Sequence, residues 1–276
     1  MINTNKTISI LGCGWLGLPL AESLNLKGFS IKGSTTSLDK LEILDKLNVK
    51  SYLIQLSEDK ITGTISEFLE ESDILIITIP PKLRKANHEN FVIKIKHLIP
   101  HIEAAGISKV LFVSSTSVYG DTSELVTITE NNVAIPSTEG GKQLLEVEQI
   151  LQKNQNFKTT VIRFGGLIGY DRHPIKYLAG KENLENPEAP VNLIHQKEAL
   201  SIIEKIVNRN NSDKIWGMTL NAVAPFHPTR REYYTKKAIE KKLEIPKFVN
   251  SKAQGKIINS IFLINELSYK FNLDLY

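Results

Sequence analysis

Thr7-Ile8-Ser9-Ile10-Leu11-Gly12-Cys13-Gly14-Trp15-Leu16-Gly17 is the stretch that decides the fold. Its first five residues read as a short apolar strand. Leu16, Leu20 and Leu24 then recur at helical spacing, and Gly28 supplies a C-terminal stop. Pro19 lies in the first turn of that helix, where a missing N–H does no harm. Between strand and helix stands the pattern G-x-G-x-x-G. In that context Gly12 permits the tight turn, Gly14 leaves bare backbone for a pyrophosphate, and Gly17 lets the helix approach the strand. The helix N-terminus adds free N–H groups and the positive end of its dipole. Gly12, Cys13, Gly14, Trp15, Leu16 and Gly17 are therefore expected to bind a dinucleotide.

Outward from the loop, strand-like and helix-like segments alternate. Strands are predicted over residues 29–33, 52–56, 74–79, 109–114 and 159–164. Helices are predicted around Leu41, Leu44 and Leu47, then over 65–69, 87–105 (bent at Pro100) and 141–151. Strands with little internal alternation, separated by helices, describe an α/β fold: a doubly wound parallel sheet covered on both faces. The pattern changes near Gly165. Residues 165–195 are rich in Gly, Pro, His and Asn and read as loops. A helix (198–207), a strand (215–220) and two helices (230–243 and 254–267) follow. This tail is expected to cap the C-terminal edge of the sheet, where doubly wound folds bind ligands. The division is a binding domain over 1–170 and a small C-terminal substrate-capping subdomain over 171–276, of which 196–222 packs back on the sheet.

The chain has 276 residues, 41% hydrophobic and 23% charged, which is enough apolar material for a full core. Its formal charge of +4 is spread along the sequence. The densest cluster, Lys236, Lys237, Lys241 and Lys242, stands beside Glu240 and Glu244 on a predicted helix. It reads as a solvated face rather than a nucleic-acid patch. The apolar run 74–79 is too short to cross a bilayer, and the N-terminus lacks a signal-peptide layout. The single cysteine, Cys13, fits a reducing compartment. His97 and His101 lack the glutamate of a zinc helix, and no Cys/His cluster offers a metal site. The expectation is a cytoplasmic protein with a small-molecule partner and no nucleic acid, membrane or metal.

An NAD-specific site places Asp or Glu about 20 residues beyond the loop, to bond the ribose hydroxyls. Here that position reads Lys32-Gly33-Ser34-Thr35-Thr36-Ser37, and Asp39 follows only on the next predicted helix. Ser34, Thr35 and Thr36, with Lys32 or Lys40 nearby, would tolerate a 2′-phosphate, so the residues favour NADP(H) over NAD(H). No arginine stands there to clamp a phosphate bidentately. Capping of the next helix is the other reading of these hydroxyls.

Further segments complete a pattern: Ile79-Pro80-Pro81, Ser114-Ser115-Thr116-Ser117-Val118-Tyr119-Gly120, Arg163-Phe164-Gly165-Gly166-Leu167-Ile168-Gly169 and Asn192-Leu193-Ile194-His195. With the glycine loop they resemble the extended short-chain dehydrogenase/reductase superfamily, and more narrowly its atypical, epimerase/dehydratase-like members. The match keeps its order over nearly the whole chain. It implies a Rossmann-type fold and hydride transfer at a carbon of a nucleotide sugar or a small carbonyl or hydroxyl compound. It implies cofactor contacts from Ile79, Pro80, Pro81, Ser114, Phe164, Gly165 and Gly166. Ser115 would hold a substrate oxygen; on the residues alone it reads as a strand-end turn serine. The resemblance places Tyr119, Tyr170, Arg172 and His195 on the substrate side. Relatives often pair through two helices, so a homodimer is an expectation, although no interface stripe is decisive.

The family's general acid/base is a tyrosine followed four residues later by a lysine. The matching segment reads Pro136-Ser137-Thr138-Glu139-Gly140-Gly141-Lys142-Gln143-Leu144. Anchored on Lys142, the tyrosine position is Thr138; anchored on the spacing from Val118, it is Gly140, with Leu144 in place of lysine. Neither register holds a tyrosine, and a threonine hydroxyl is too weak an acid near neutral pH to replace a phenol. Lys142 is either a cofactor contact or a surface lysine. Two functions follow: an NAD(P)-dependent oxidoreductase or epimerase-like enzyme, which is preferred, or a non-catalytic NADP(H)-binding sensor or scaffold.

Overall fold

In the computed structural model, residues 6–81, 89–208 and 213–276 are described. β1 (Thr7–Leu11) is buried on both faces, as an apolar run without alternation requires. α1 (Gly17–Leu26), β2 (Ser30–Thr35), α2 (Asp39–Lys46) and β3 (Lys50–Leu53) follow. A small antiparallel pair, β4 (Gln55–Leu56) and β5 (Ile61–Thr62), leads to α3 (Ile65–Leu69) and β6 (Ile74–Ile77). Next come α4 (Phe91–Ala104), β7 (Lys109–Ser115), β8 (Leu125–Ile128), α5 (Glu139–Lys153) and β9 (Lys158–Phe164). The last part holds β10 (Gly166–Ile168), α6 (Ile175–Leu178), β11 (Leu193–His195) and α7 (Gln196–Val207). It ends with β12 (Thr219–Ala222), α8 (Arg230–Glu240), β13 (Gly255–Ile258) and α9 (Ile261–Leu267).

The main sheet has seven strands in the order β12-β9-β7-β6-β1-β2-β3, and each neighbouring pair is parallel. An apolar cluster on one face gathers Leu20, Leu24, Leu44, Ile202 and Ile206. Another gathers Phe68, Phe91, Ile95, Leu98 and Val147 on the other face. From β1 the sheet grows one way to β2 and the other way to β6, so the topological switch lies between β1 and β6. The glycine loop leaves β1 at that crevice. This is the doubly wound α/β architecture of the Rossmann type. Among the described residues no helix is long and apolar enough to cross a membrane.

Several boundaries differ from the sequence expectation, for local reasons. β2 continues past Gly33 because Ser34 and Thr35 pair with Tyr52 and Leu53. The expected strand over 52–56 breaks after Leu53, and Gln55–Leu56 turns away to pair with β5. The strand expected over 215–220 starts only at Thr219. Gly217 takes φ +102° and the Thr160 hydroxyl donates to Ile215 O at 2.7 Å, so a turn precedes the strand. The helix expected over 254–267 is a strand followed by a helix. Gly255, at φ +134°, opens β13, which pairs in parallel with β8. β10 and β11 lie where loops were expected, and β8 lies in a stretch for which no element was predicted. The expected helix 87–105 is α4, capped by Asn90, whose side chain accepts the Val92 and Ile93 N–H groups; its first two expected residues lie outside the described residues. The strand expected to reach 79 ends at Ile77, and the helix expected to reach 243 ends at Glu240.

Candidate functional site

Gly12 adopts φ +103°, and a Cβ there would lie 2.6 Å from Ile79 Cγ2. Ser34 accepts the Gly12 N–H through Oγ at 3.0 Å and the Cys13 N–H through its carbonyl at 2.7 Å. Thr78, just past β6, donates its hydroxyl to Gly12 O at 2.7 Å. The ends of β2 and β6 thus bracket the turn. Thr78 was not singled out from the sequence, and its one signal is a hydroxyl closing an apolar strand. α1 starts so close beneath that a Cβ on Gly17 would sit 2.3 Å from Gly12 O. Gly14 differs: a Cβ there would meet nothing nearer than Gly12 O at 4.0 Å. α1 also begins without a side-chain cap. Open backbone beside an uncapped helix N-terminus fits a pyrophosphate. Cys13 is buried with its sulfur against Gly33, and burial pushes the thiol up to about 12, which removes it as a nucleophile.

Ser34 and Thr35 are buried, and their hydroxyls accept the Gly12 and Ser37 N–H groups, which ties them to the turn. Thr36 is exposed. Lys32 turns away to the Glu67 and Glu70 carbonyls at α3, which takes it off the ribose end. Lys40, in the first turn of α2, stays close enough to act on Cys13. Trp15 reaches out of the loop and donates Nε1–H to both Asp171 carboxylate oxygens, at 3.1 and 3.0 Å. Arg172 lies over the Trp15 ring, 5.0 Å from its centroid. Arg172, expected on the substrate side, therefore packs against the glycine loop.

A cavity of about 370 Å³ opens beside Ser115. Ser115, Ser117 and Thr138 wall it from the sheet side, and Arg230, Tyr234 and Lys256 from the C-terminal segment. Ser115 Oγ accepts the Ser117 N–H at 3.2 Å. Thr138 caps α5, accepting the Gly141 N–H at 3.1 Å. Gly140 and Lys142 do not wall the cavity, and Lys142 is exposed. Tyr234 is 8% exposed, and its hydroxyl has no hydrogen-bond partner among the described residues. Lys256 donates to Tyr119 O and Gly120 O, and burial lowers its pKa. Sequence reasoning missed these three. The signal for Arg230 and Tyr234 was their one-turn spacing on a helix. Lys256 had none while its segment read as a helix. The glycines after Phe164 meet Asn192: Gly166 donates to Asn192 O at 2.8 Å, and the Asn192 side chain bonds Lys256 O and the Ile258 N–H.

Behind Ser115 lies a buried polar network. Ser114 donates to Glu148. Arg163 binds the same carboxylate through Nε, at 3.1 Å to each oxygen, and through Nη2 at 2.6 Å. Its Nη1 donates to Tyr119 Oη at 2.7 Å, and Tyr119 donates to Asn221 at 3.0 Å. Burial raises the Tyr119 pKa against the opposing Arg163 charge. The Ser114 and Tyr119 hydroxyls thus join β7, α5, β9 and β12, and Tyr119 also borders the first cavity.

Tyr170 and His195 wall a second cavity, of about 290 Å³, with His173, Tyr233, Lys237 and Lys241. His195 also caps α7 by accepting the Lys197 N–H at 3.2 Å. His173 Nδ1 accepts the Ile175 N–H at 3.1 Å, so Nε2 carries the proton and donates to Tyr233 Oη at 3.0 Å. Burial and neighbouring lysines push His173 down to about 4. A depressed histidine gives stability that is present above its unfolded pKa of 6.5 and lost as pH falls toward 4. The protein is expected to lose on the order of 2 kcal/mol in thermal unfolding across that window, and His173→Gln to flatten the loss. Identical acid profiles for the two proteins would refute the assignment.

No protein-family model matches the chain. Its structure is similar to UDP-N-acetylglucosamine 4-epimerase from Bacillus cereus, at 16% identity and TM-score 0.76 over 97% of this chain and 92% of that one. It is also similar to a short-chain dehydrogenase/reductase superfamily protein from Agrobacterium tumefaciens with bound NAD, at 15% identity and TM-score 0.76 over 97% and 94%. The switch-point glycine loop and these neighbours define the fold class: a Rossmann-type α/β fold, similar to that of structures described as a short-chain dehydrogenase/reductase superfamily protein and as an NAD-dependent epimerase/dehydratase. In sequence the chain is 32% identical over 269 residues to Protein YeeZ of Escherichia coli (strain K12), covering 96% of each. It belongs to the family of that protein.

Proposed function

We propose that the protein is an NAD(P)-dependent oxidoreductase or epimerase/dehydratase-like enzyme acting on a nucleotide sugar or a small carbonyl or hydroxyl compound. The observation that carries this reading is the open space over Gly14 at the uncapped start of α1. A bound nicotinamide dinucleotide would supply the hydride chemistry. The chain's own residues orient it: the loop 12–17 takes the pyrophosphate, while Thr36 and Lys40, with no acid at the end of β2, favour a 2′-phosphate and hence NADP(H). Ser115 offers a hydroxyl to a substrate oxygen in the first cavity, where Arg230 and Lys256 suit an anionic group such as a nucleotide phosphate. The name of the Bacillus cereus neighbour supports a nucleotide sugar. A second reading, a non-catalytic NADP(H) sensor or scaffold, is favoured by Thr138, whose hydroxyl caps a helix where a tyrosine would act.

Fluorescence titration with NADPH and NADH tests the cofactor, with tighter NADPH binding expected. Incubation with UDP-sugars and small carbonyl compounds, followed by nicotinamide absorbance and by chromatography for epimers, tests turnover. Tight binding without turnover of any compound would favour the sensor. Binding of neither dinucleotide would sink both readings.

A further inference from the structure

Helix α8 presents adjacent stripes to the two cavities. Arg230 and Tyr234 face the first; Tyr233 and Lys237 face the second, joined by Lys241 just past the helix end. The walls of the second cavity hold donors in excess. His195 is 5% exposed, and its Nδ1 is taken by the Lys197 N–H, so the proton sits on Nε2. That N–H has no acceptor among the described residues. Tyr233 receives the His173 Nε2–H and keeps its own hydroxyl proton to give. Lys241 makes no ion pair among the described residues. The one carboxylate of the wall, Glu240, is held by Lys237 at 2.7 Å and by Lys236 at 3.8 Å. Lys241, Lys237 and Lys176 act on His173 against Glu240 alone, so the local field is positive. Tyr170, 71% exposed, lies at the mouth with its ring 5.2 Å from that of His195.

We infer that this second cavity binds a small phosphate-bearing molecule, with Lys237, Lys241, the Tyr233 hydroxyl and His195 Nε2–H meeting the phosphate oxygens. A phosphate monoester offers three acceptor oxygens and close to two negative charges, which matches a wall of unmet donors and surplus cations. No residue of the glycine loop lines this cavity, although Gly169 in its wall packs against Trp15 of that loop, and the inference does not depend on the proposed enzymatic reading.

The test is calorimetric titration of the full chain with inorganic phosphate and with phenyl phosphate, against sodium acetate at matched ionic strength. Saturable one-to-one binding of phenyl phosphate is expected, weakened about tenfold or more by Lys237→Gln combined with Lys241→Gln. Lys241 is exposed just past the end of α8, whereas the Lys237 side chain is 13% exposed and pairs with Glu240, so circular dichroism and a thermal melt check the fold of the double variant. Lys241→Gln alone leaves that pair intact and should also weaken binding. Gly14→Asp, Arg230→Gln and saturating NADPH should leave that binding unchanged. Absence of saturable binding would overturn the inference. So would binding unaffected by the lysine substitutions, or binding lost on Gly14→Asp or displaced by NADPH. If NADPH fails to bind but phenyl phosphate binds as described, this inference stands while the proposed function falls.

Discussion

Gly14→Asp will abolish dinucleotide binding and leave the fold intact. A Cβ at this position meets nothing nearer than 4.0 Å, and the backbone needs no positive φ, so the folded chain accepts a side chain here. A carboxylate placed there occupies the space of a pyrophosphate and repels it. The expected loss of NADPH affinity is at least about 100-fold, or about 3 kcal/mol, with a melting temperature within about 2 °C of the parent. Gly17→Ala should do the reverse. Its Cβ would sit 2.3 Å from Gly12 O, a backbone atom that cannot rotate away. Overpacking of this kind costs about 1–3 kcal/mol, and each kcal/mol lowers the melting temperature by about 2–4 °C in a domain of this size. Fluorescence titration and thermal melts on both variants separate the two roles. Retained affinity in Gly14→Asp would show that the loop does not seat the pyrophosphate, and an unchanged melt in Gly17→Ala would show that the helix has room to move.

Arg163→Met is expected to be the most destabilising single change of those considered. Glu148 is 1% exposed, and Arg163 supplies three of its contacts. Removing the cation leaves a buried carboxylate with the Ser114 hydroxyl as its remaining donor. It also removes the Arg163 donor from Tyr119. Breaking one side of a buried pair costs about 3–5 kcal/mol, which is on the order of 10 °C in melting temperature. Replacing both partners, Arg163→Met with Glu148→Leu, should recover most of that loss, because the desolvated charge is gone. A double-mutant cycle by thermal and denaturant unfolding measures the difference. A single variant melting within about 2 °C of the parent would show that water reaches the carboxylate.

The legible part of the fold was the part written in neighbouring residues. β1, the glycine loop and α1 follow one another within twenty positions, so apolar spacing and three glycines were enough. β13 escaped because its partner β8 lies far back in the chain, and no local period records a long-range pair. The site divides in the same way. Ser115 was found by its motif, but the motif says nothing of the strand's pleat. Successive side chains on β7 point to opposite faces, which sends Ser114 to Glu148 and Ser115 to the cavity. Tyr234 and Lys256 join that cavity from elements distant in sequence. The lysine cluster read as a solvated face, and Lys236, Lys241 and Lys242 are exposed, while the Lys237 side chain is largely covered. Tyr233 and Lys237 lie on one stripe, with Lys241 just past the helix end, and only the tertiary fold shows what that stripe meets.

Trp15 gives the molecule a built-in optical probe. Its indole N–H is tied to Asp171, its carbonyl takes the Gln196 side chain at 2.6 Å, and Arg172 covers its ring. The chain's other indole, Trp216, is 6% exposed on the far edge strand's approach, beside Lys109. An emission change on seating a phosphate group against the loop would therefore originate at the mouth of the crevice. The protein needs no attached dye for its loop to be watched in real time.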